Sequence, residues 1–211
     1  MKSPRLLALS VVLLAAAAQA AKADMRDPRR AVGREDDVRV DAELIQDSIS
    51  PNATLGVVYQ VQNLTNTPIA LADKVSDVSY DSDTQTITVS FGAEVPPGES
   101  MPHLVVIPPG EKKTFRGGAP IHIVAPGIHT PWASIPHFVQ IRVTVLREVA
   151  PFVELIEQQN KSTTAPPLSK DAFDRWVDNV DSVLLNAIPV RWDGRSRPGG
   201  VDAESGSPGG M

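Results

Sequence analysis

FVQIRVTVL, residues 138–146, is the stretch on which the fold turns. Val139, Ile141, Val143 and Val145 fall on one side of an extended chain and Gln140, Arg142 and Thr144 on the other, because successive side chains of a strand point to opposite faces. The same period of two runs through 38–44, where Val38, Val40, Ala42 and Leu44 alternate with Arg39, Asp41 and Glu43. It recurs at 55–61, with Leu55, Val57, Tyr59 and Val61 inward and Gln60 outward. A turn over 63–68 leads to a short apolar piece at 69–71. Residues 75–80 and 84–91 read as a hairpin about Asp81-Ser82-Asp83, with Ile87, Val89 and Phe91 on its inner face and Thr86, Thr88 and Ser90 on its outer face. Shorter strands are expected at 103–107, 113–115 and 121–124. About eight short strands, separated by turn residues and without β-α-β alternation, predict a mainly β protein built as an antiparallel sandwich or barrel.

The pattern changes after Val149. Residues 151–159 (PFVELIEQQ) can begin a short helix, and 160–167 read as a linker. Ser169 is an N-cap for a helix expected from 170 to about 186, ended by Pro189. Phe173, Trp176, Val177, Val180, Val183 and Leu184 form its apolar stripe, and Asp171, Asp174, Asp178 and Asp181 line the adjacent face. That amphipathic helix is expected to pack on the sandwich. The Gly-, Ser- and Pro-rich residues 194–211 cannot build a core and are expected to be disordered.

At the other end, Lys2 and Arg5 precede an apolar run over 6–18 and the small-x-small triplet Ala18-Gln19-Ala20. That is the layout of a cleaved signal peptide over 1–20. The run is too short to span a bilayer. Residues 21–37 read as a flexible leader, which gives a sandwich domain over 38–149 and a helical extension over 150–193. Cleavage after Ala20 takes the formal charge from −5 to −7, since Lys2 and Arg5 are lost and no acid is. An acidic balance argues against a general nucleic-acid binder and against attraction to anionic lipid. Zero Cys excludes disulfides and thiolate chemistry, so an exported chain of this kind must rest on an apolar core, as bacterial envelope proteins do.

Residues 55–61 with Asn63 and Pro68-Ile69, and Ile107-Pro108-Pro109-Gly110-Glu111 running into Thr114-Phe115, resemble the strand ends of bacterial immunoglobulin-like sandwich domains. In those domains a V-x-N-x-t-x-x-P-I stretch and a PPGE-x-x-t-F turn recur. The resemblance spans residues 38–149. It implies a module for binding, assembly or scaffolding, and it carries over no catalytic residue. The C-terminal helix departs from a plain domain of that kind.

The common catalytic signatures G-x-S-x-G, H-E-x-x-H and G-x-x-x-x-G-K-[ST] are missing, and no cofactor is indicated. The four histidines, His103, His122, His129 and His137, lie within one short span of the chain. They are either separate loop and outer-face residues or ligands of a shared metal, for which imidazole is suited. Residues 125–137 (APGIHTPWASIPH) hold Trp132, Ile128, His129 and His137 in a Pro-stiffened loop without strand period. Trp132 either plugs the sandwich or serves as a contact anchor, since a stiff apolar loop loses little entropy on binding. Asp77, Asp81 and Asp83 lack the Gly and distal Glu of a calcium loop and read as a solvated turn. These readings point to an exported, non-enzymatic module making protein contacts in the bacterial envelope. The alternatives are a periplasmic metal-binding protein and a carbohydrate-binding module stacking sugar on Trp132.

Overall fold

The computed structural model describes residues 27–50, 53–73, 76–92, 98–122, 135–161 and 167–193. In chain order its strands are β1 (Arg30–Glu35), β2 (Val38–Leu44), β3 (Ser48–Ile49), β4 (Thr54–Asn63), β5 (Ile69–Ala72), β6 (Ser76–Asp81), β7 (Thr86–Phe91), β8 (Leu104–Ile107), β9 (Lys112–Pro120), β10 (Phe138–Leu146), β11 (Val180–Leu184), β12 (Ile188–Pro189) and β13 (Arg191–Trp192). Helices α1 (Val153–Lys161) and α2 (Lys170–Asn179) lie between β10 and β11. The protein is mainly β, with several sheets and two short helices.

Alternation builds the first sheet, an antiparallel array in the order β1-β2-β4-β9. Val38, Val40, Ala42 and Leu44 of β2 and Leu55, Val57, Tyr59 and Val61 of β4 are buried on one side, while Arg39, Asp41, Glu43, Gln60 and Gln62 take the other phase. The second sheet runs β6-β7-β10-β5-β8, and β11 and β12 also pair with β10. Its Ile87, Val89, Phe91, Val139, Ile141, Val143 and Val145 share one apolar core with the first sheet. Across that core Tyr59 stacks on Phe91 at 4.7 Å and on its register partner Phe115 at 5.3 Å. Gly117 makes room for the stack, since a Cβ there would lie 2.2 Å from a ring carbon of Phe91. Burial raises the Tyr59 phenol well above its ordinary value.

Two motif stretches meet at Asn63, which is fully buried. Its side-chain amide donates to the carbonyls of Thr67 (2.8 Å) and Ile107 (2.9 Å), and its Oδ1 accepts from the Thr65 N–H (2.9 Å) and hydroxyl (2.7 Å). Its backbone N–H donates to Glu111 O, and its carbonyl accepts from Gly110 N, each at 2.9 Å. One residue thus ties the 63–68 turn, the end of β8 and the Pro108-Pro109-Gly110-Glu111 turn together.

β5 lies between two cores. Ile69 and Leu71 face the main one, whereas Ala70 and Ala72 face a second, smaller one with Leu104, Leu146, Phe152, Leu168, Ala172 and Trp176. The small side chains of β5 let the helices come close. Ser169 caps α2 as expected, its Oγ accepting from Ala172 N at 3.2 Å. Trp176 packs edge-on to Phe152 at 6.1 Å, and Phe173 is half-buried beside them.

Several expectations are corrected. The second sheet is mixed rather than antiparallel, because β10 runs parallel to β7 along Phe138–Val143. The helix expected from 170 to about 186 ends at Asn179, and Val180–Leu184 is a strand paired with Arg142–Leu146 of β10. The reason is the open edge of β10, whose unpaired backbone groups accept a segment with β-branched Val180 and Val183. Val183 therefore enters the main core, Leu184 stays 47% exposed, and Val177 on α2 is 46% exposed. Asp181 leaves the acidic helix face and pairs with Arg147 at 2.6 Å. Arg30–Glu35, expected in the leader, is an edge strand, β1. Lys112–Pro120 is one longer strand, and Ile121 and His122 lie beyond its end. The signal peptide over 1–20 and the tail over 194–211 lie outside the described residues.

β1 also meets β11 where the two sheets' edges converge. Val32 N donates to Asn186 Oδ1 at 2.8 Å, and a Cβ on Gly33 would lie 2.8 Å from Leu184 O. Ahead of β1, the Asp27 carboxylate accepts from Arg29 N (3.0 Å), Nε (3.1 Å) and Nη2 (2.9 Å). The Arg29 guanidinium thereby lowers the Asp27 pKa from 3.8 to about 2. A depressed acid favours the folded state above its ordinary pKa, and that contribution fades as pH falls toward about 2. In carboxyl NMR titrations Asp27 is expected to titrate near pH 2 and to return toward 3.8 in Arg29→Ala. An unshifted Asp27 in the parent protein would show that the contact does not form in solution.

Candidate interaction site

One end of the fold gathers four chain segments. β9 finishes at Pro120, opposite Thr54, and Ile121 N donates to Ala53 O at 2.9 Å. After Ile135 and the buried Pro136, His137 N donates to Gln85 O at 2.8 Å, and His137 O accepts from Val190 N at 2.9 Å. Arg191 N donates to Asp47 O at 3.3 Å and Asp193 N to Ile49 O at 2.8 Å, which lays β13 parallel to β3. Residues 45–49, 120–122, 135–138 and 188–193 are thereby brought together.

Large apolar side chains face water here. Ile45 is 58% exposed and Phe138 41% exposed, while Trp192 is half-buried against the main core. Both exposed residues follow from strand phase. Ile45 comes directly after Leu44 and so continues the outward series Arg39, Asp41, Glu43. Phe138 opens the outward series Gln140, Arg142. No motif marks either residue, although the alternation that defines the strands already places both outward.

Of the residues singled out from sequence, His122 and His137 are at this end, and both are exposed. Ile128, His129 and Trp132 lie outside the described residues, as does the rest of 123–134. His103 is elsewhere, ahead of β8, with its Nδ1 3.0 Å from Asp73 Oδ1. Among the described residues no group of three or more His, Asp or Glu is placed to hold a metal ion. Asp81 accepts from Asp83 N and from the Thr84 hydroxyl, each at 2.9 Å, which closes the hairpin turn. The Thr84 hydroxyl and the Asp83 N–H hold the Asp81 carboxyl below its ordinary value.

No family model, curated protein or solved structure matches the chain. The chemistry of the site therefore rests on its own residues. Ile45 and Phe138, on the outward faces of different sheets, offer apolar contact area at this end, where His122 and His137 are also exposed. Among the described residues this end offers no nucleophile activated by a neighbouring base.

Proposed function

We propose that the chain is an exported, non-enzymatic sandwich module of the immunoglobulin-like kind, which makes protein contacts in the bacterial envelope, with Trp132 as anchor and the end where residues 120–122 and 135–138 lie as part of the contact surface. The observation that carries the reading is the pair of exposed apolar side chains, Ile45 and Phe138, at the end where residues 120–122 and 135–138 lie. Apolar anchors on a rigid scaffold are how protein interfaces concentrate their energy. Signal-peptide layout and the absence of Cys support export to an envelope compartment.

The test compares the parent protein with Trp132→Ala as immobilised baits for a solubilised envelope fraction. The proposal expects a discrete protein retained by the parent and lost by at least about tenfold with the variant, a loss typical of an anchor. The thermal midpoint should move by no more than about 2 °C, as for a surface change in a chain of this size. An identical retained set, or a variant that loses much of its thermal stability, would overturn the reading.

A further inference from the structure

The outer face of the first sheet carries charge opposite in sign to the whole chain. Register places Arg34, Arg39, Gln62 and Lys112 in one row across β1, β2, β4 and β9. The next row on that face holds Val32, Asp41, Gln60 and Thr114, and the next Arg30, Glu43, Val58 and Arg116. Five cations thus share the face with two acids, on a chain whose formal charge is −5. The cations of β1 and β2 are partly neutralised. Arg39 pairs with Asp41 and Arg30 with Glu43, each at 2.9 Å, and Arg34 pairs with Asp37 at 3.3 Å. Lys112 and Arg116, both exposed on β9, have no acidic partner among the described residues.

Two properties of the face narrow the partner. The unmatched positive charge calls for an anion. The side chains between the cations are amides and a hydroxyl, Gln60, Gln62 and Thr114, with Gln60 Nε2 donating to Thr114 Oγ1 at 3.2 Å. Val32 and Val58 are half-buried there, and the exposed Ile45 sits past Glu43 at the end of the face rather than between the cations, so the rows that carry the charge lack the apolar centre and aromatic anchors of a protein interface. A hydrophilic polyanion rich in hydroxyls fits better than a folded protein or an acidic peptide.

We propose that the outer face of the four-stranded sheet binds a carboxylate-bearing polysaccharide, with Lys112 and Arg116 taking its carboxylates and Gln60, Gln62 and Thr114 its hydroxyls. Ile45 lies one row beyond Glu43 at the end of this face, so the two surfaces adjoin, and they are told apart by their variants: Lys112 and Arg116 test this one and Trp132 the other. Lys112 and Arg116 also sit on an edge strand, where charge of either sign discourages pairing with other strands. Reversing both charges preserves that second role while removing the first.

The experiment measures binding of the full chain to immobilised sodium polygalacturonate, with neutral dextran and poly-L-glutamate as parallel ligands. Binding to polygalacturonate at 50 mM NaCl is expected, with marked weakening at 300 mM as shorter Debye lengths screen exposed charges. Lys112→Glu with Arg116→Glu should weaken it at least about tenfold, with an unchanged thermal midpoint confirming the fold. A Lys112→Gln, Arg116→Gln pair should give an intermediate loss. Dextran should not be retained, and poly-L-glutamate should bind more weakly than the polyuronate. Absence of binding by the parent, equal binding by parent and reversed variant, or tighter retention of poly-L-glutamate would each overturn the assignment.

Discussion

Asn63→Ala should lower the stability of this protein by about 3 kcal/mol, the sum expected when a buried amide with several satisfied bonds is deleted. The side chain donates twice and accepts twice, and every partner belongs to a different part of one turn or to the end of β8. Removing it leaves the Ile107 carbonyl without its donor in a buried setting. An unpaired buried acceptor is more costly than the bond itself is favourable. For a chain of this length the change corresponds to a fall of roughly 6–12 °C in thermal midpoint. Asn63→Asp should be no milder, because it loses both donors and buries a charge. Thermal unfolding followed by circular dichroism decides the point. A shift below about 2 °C would mean that water replaces the amide and that the turn does not depend on it.

Gly92→Ala is expected to be comparably damaging, for a reason of backbone rather than side chain. Gly92 has φ +76°, a region that disfavours any residue with a Cβ. A Cβ there would also lie 2.3 Å from Thr144 O and 2.8 Å from Leu71 Cδ1. The position is where the chain must leave β10. β7 pairs with β10 as far as Phe91 opposite Val143, and β5 takes over at Leu146 opposite Ala70. Strain and clash together place the cost on the order of 3–4 kcal/mol. Unfolding in urea should show a lower midpoint with an unchanged slope, the mark of lost stability in a still-cooperative fold. A midpoint within error of the parent would show that the exit of β7 can shift without cost.

Strand phase was the legible part of this chain. Val38, Val40, Leu55, Val57, Ile87, Val89, Val139 and Ile141 all face the core that their alternation predicted. Pairing was less legible, since nothing in FVQIRVTVL says that its neighbour β7 runs parallel to it. The segment at 180–184 failed for a physical reason. Val180, Val183 and Leu184 suit a helical stripe as well as a strand, and only the vacant edge of β10, a feature of tertiary structure, chose between them. The 30–35 stretch was obscured by its three charges and glycine, which leave only Ala31 and Val32 as apolar residues. It pairs because β2 offers it an edge. Of the proposed contact end, Phe138 and Ile45 were readable from phase alone, whereas the convergence of 45–49 with 188–193 depends on long-range bonds that no local pattern announces.

The meeting of Val32 with Asn186 joins the first described strand to nearly the last. A chain made from its amino terminus onward therefore cannot finish its fold until almost all of it has been synthesised. Contacts between such distant residues slow the search for the native state. Until the final segment arrives, β10 lacks the strands that cover one of its edges and Val32 lacks its acceptor. On the export route proposed above, late closure would keep the nascent molecule loose until its passage through a narrow pore is complete.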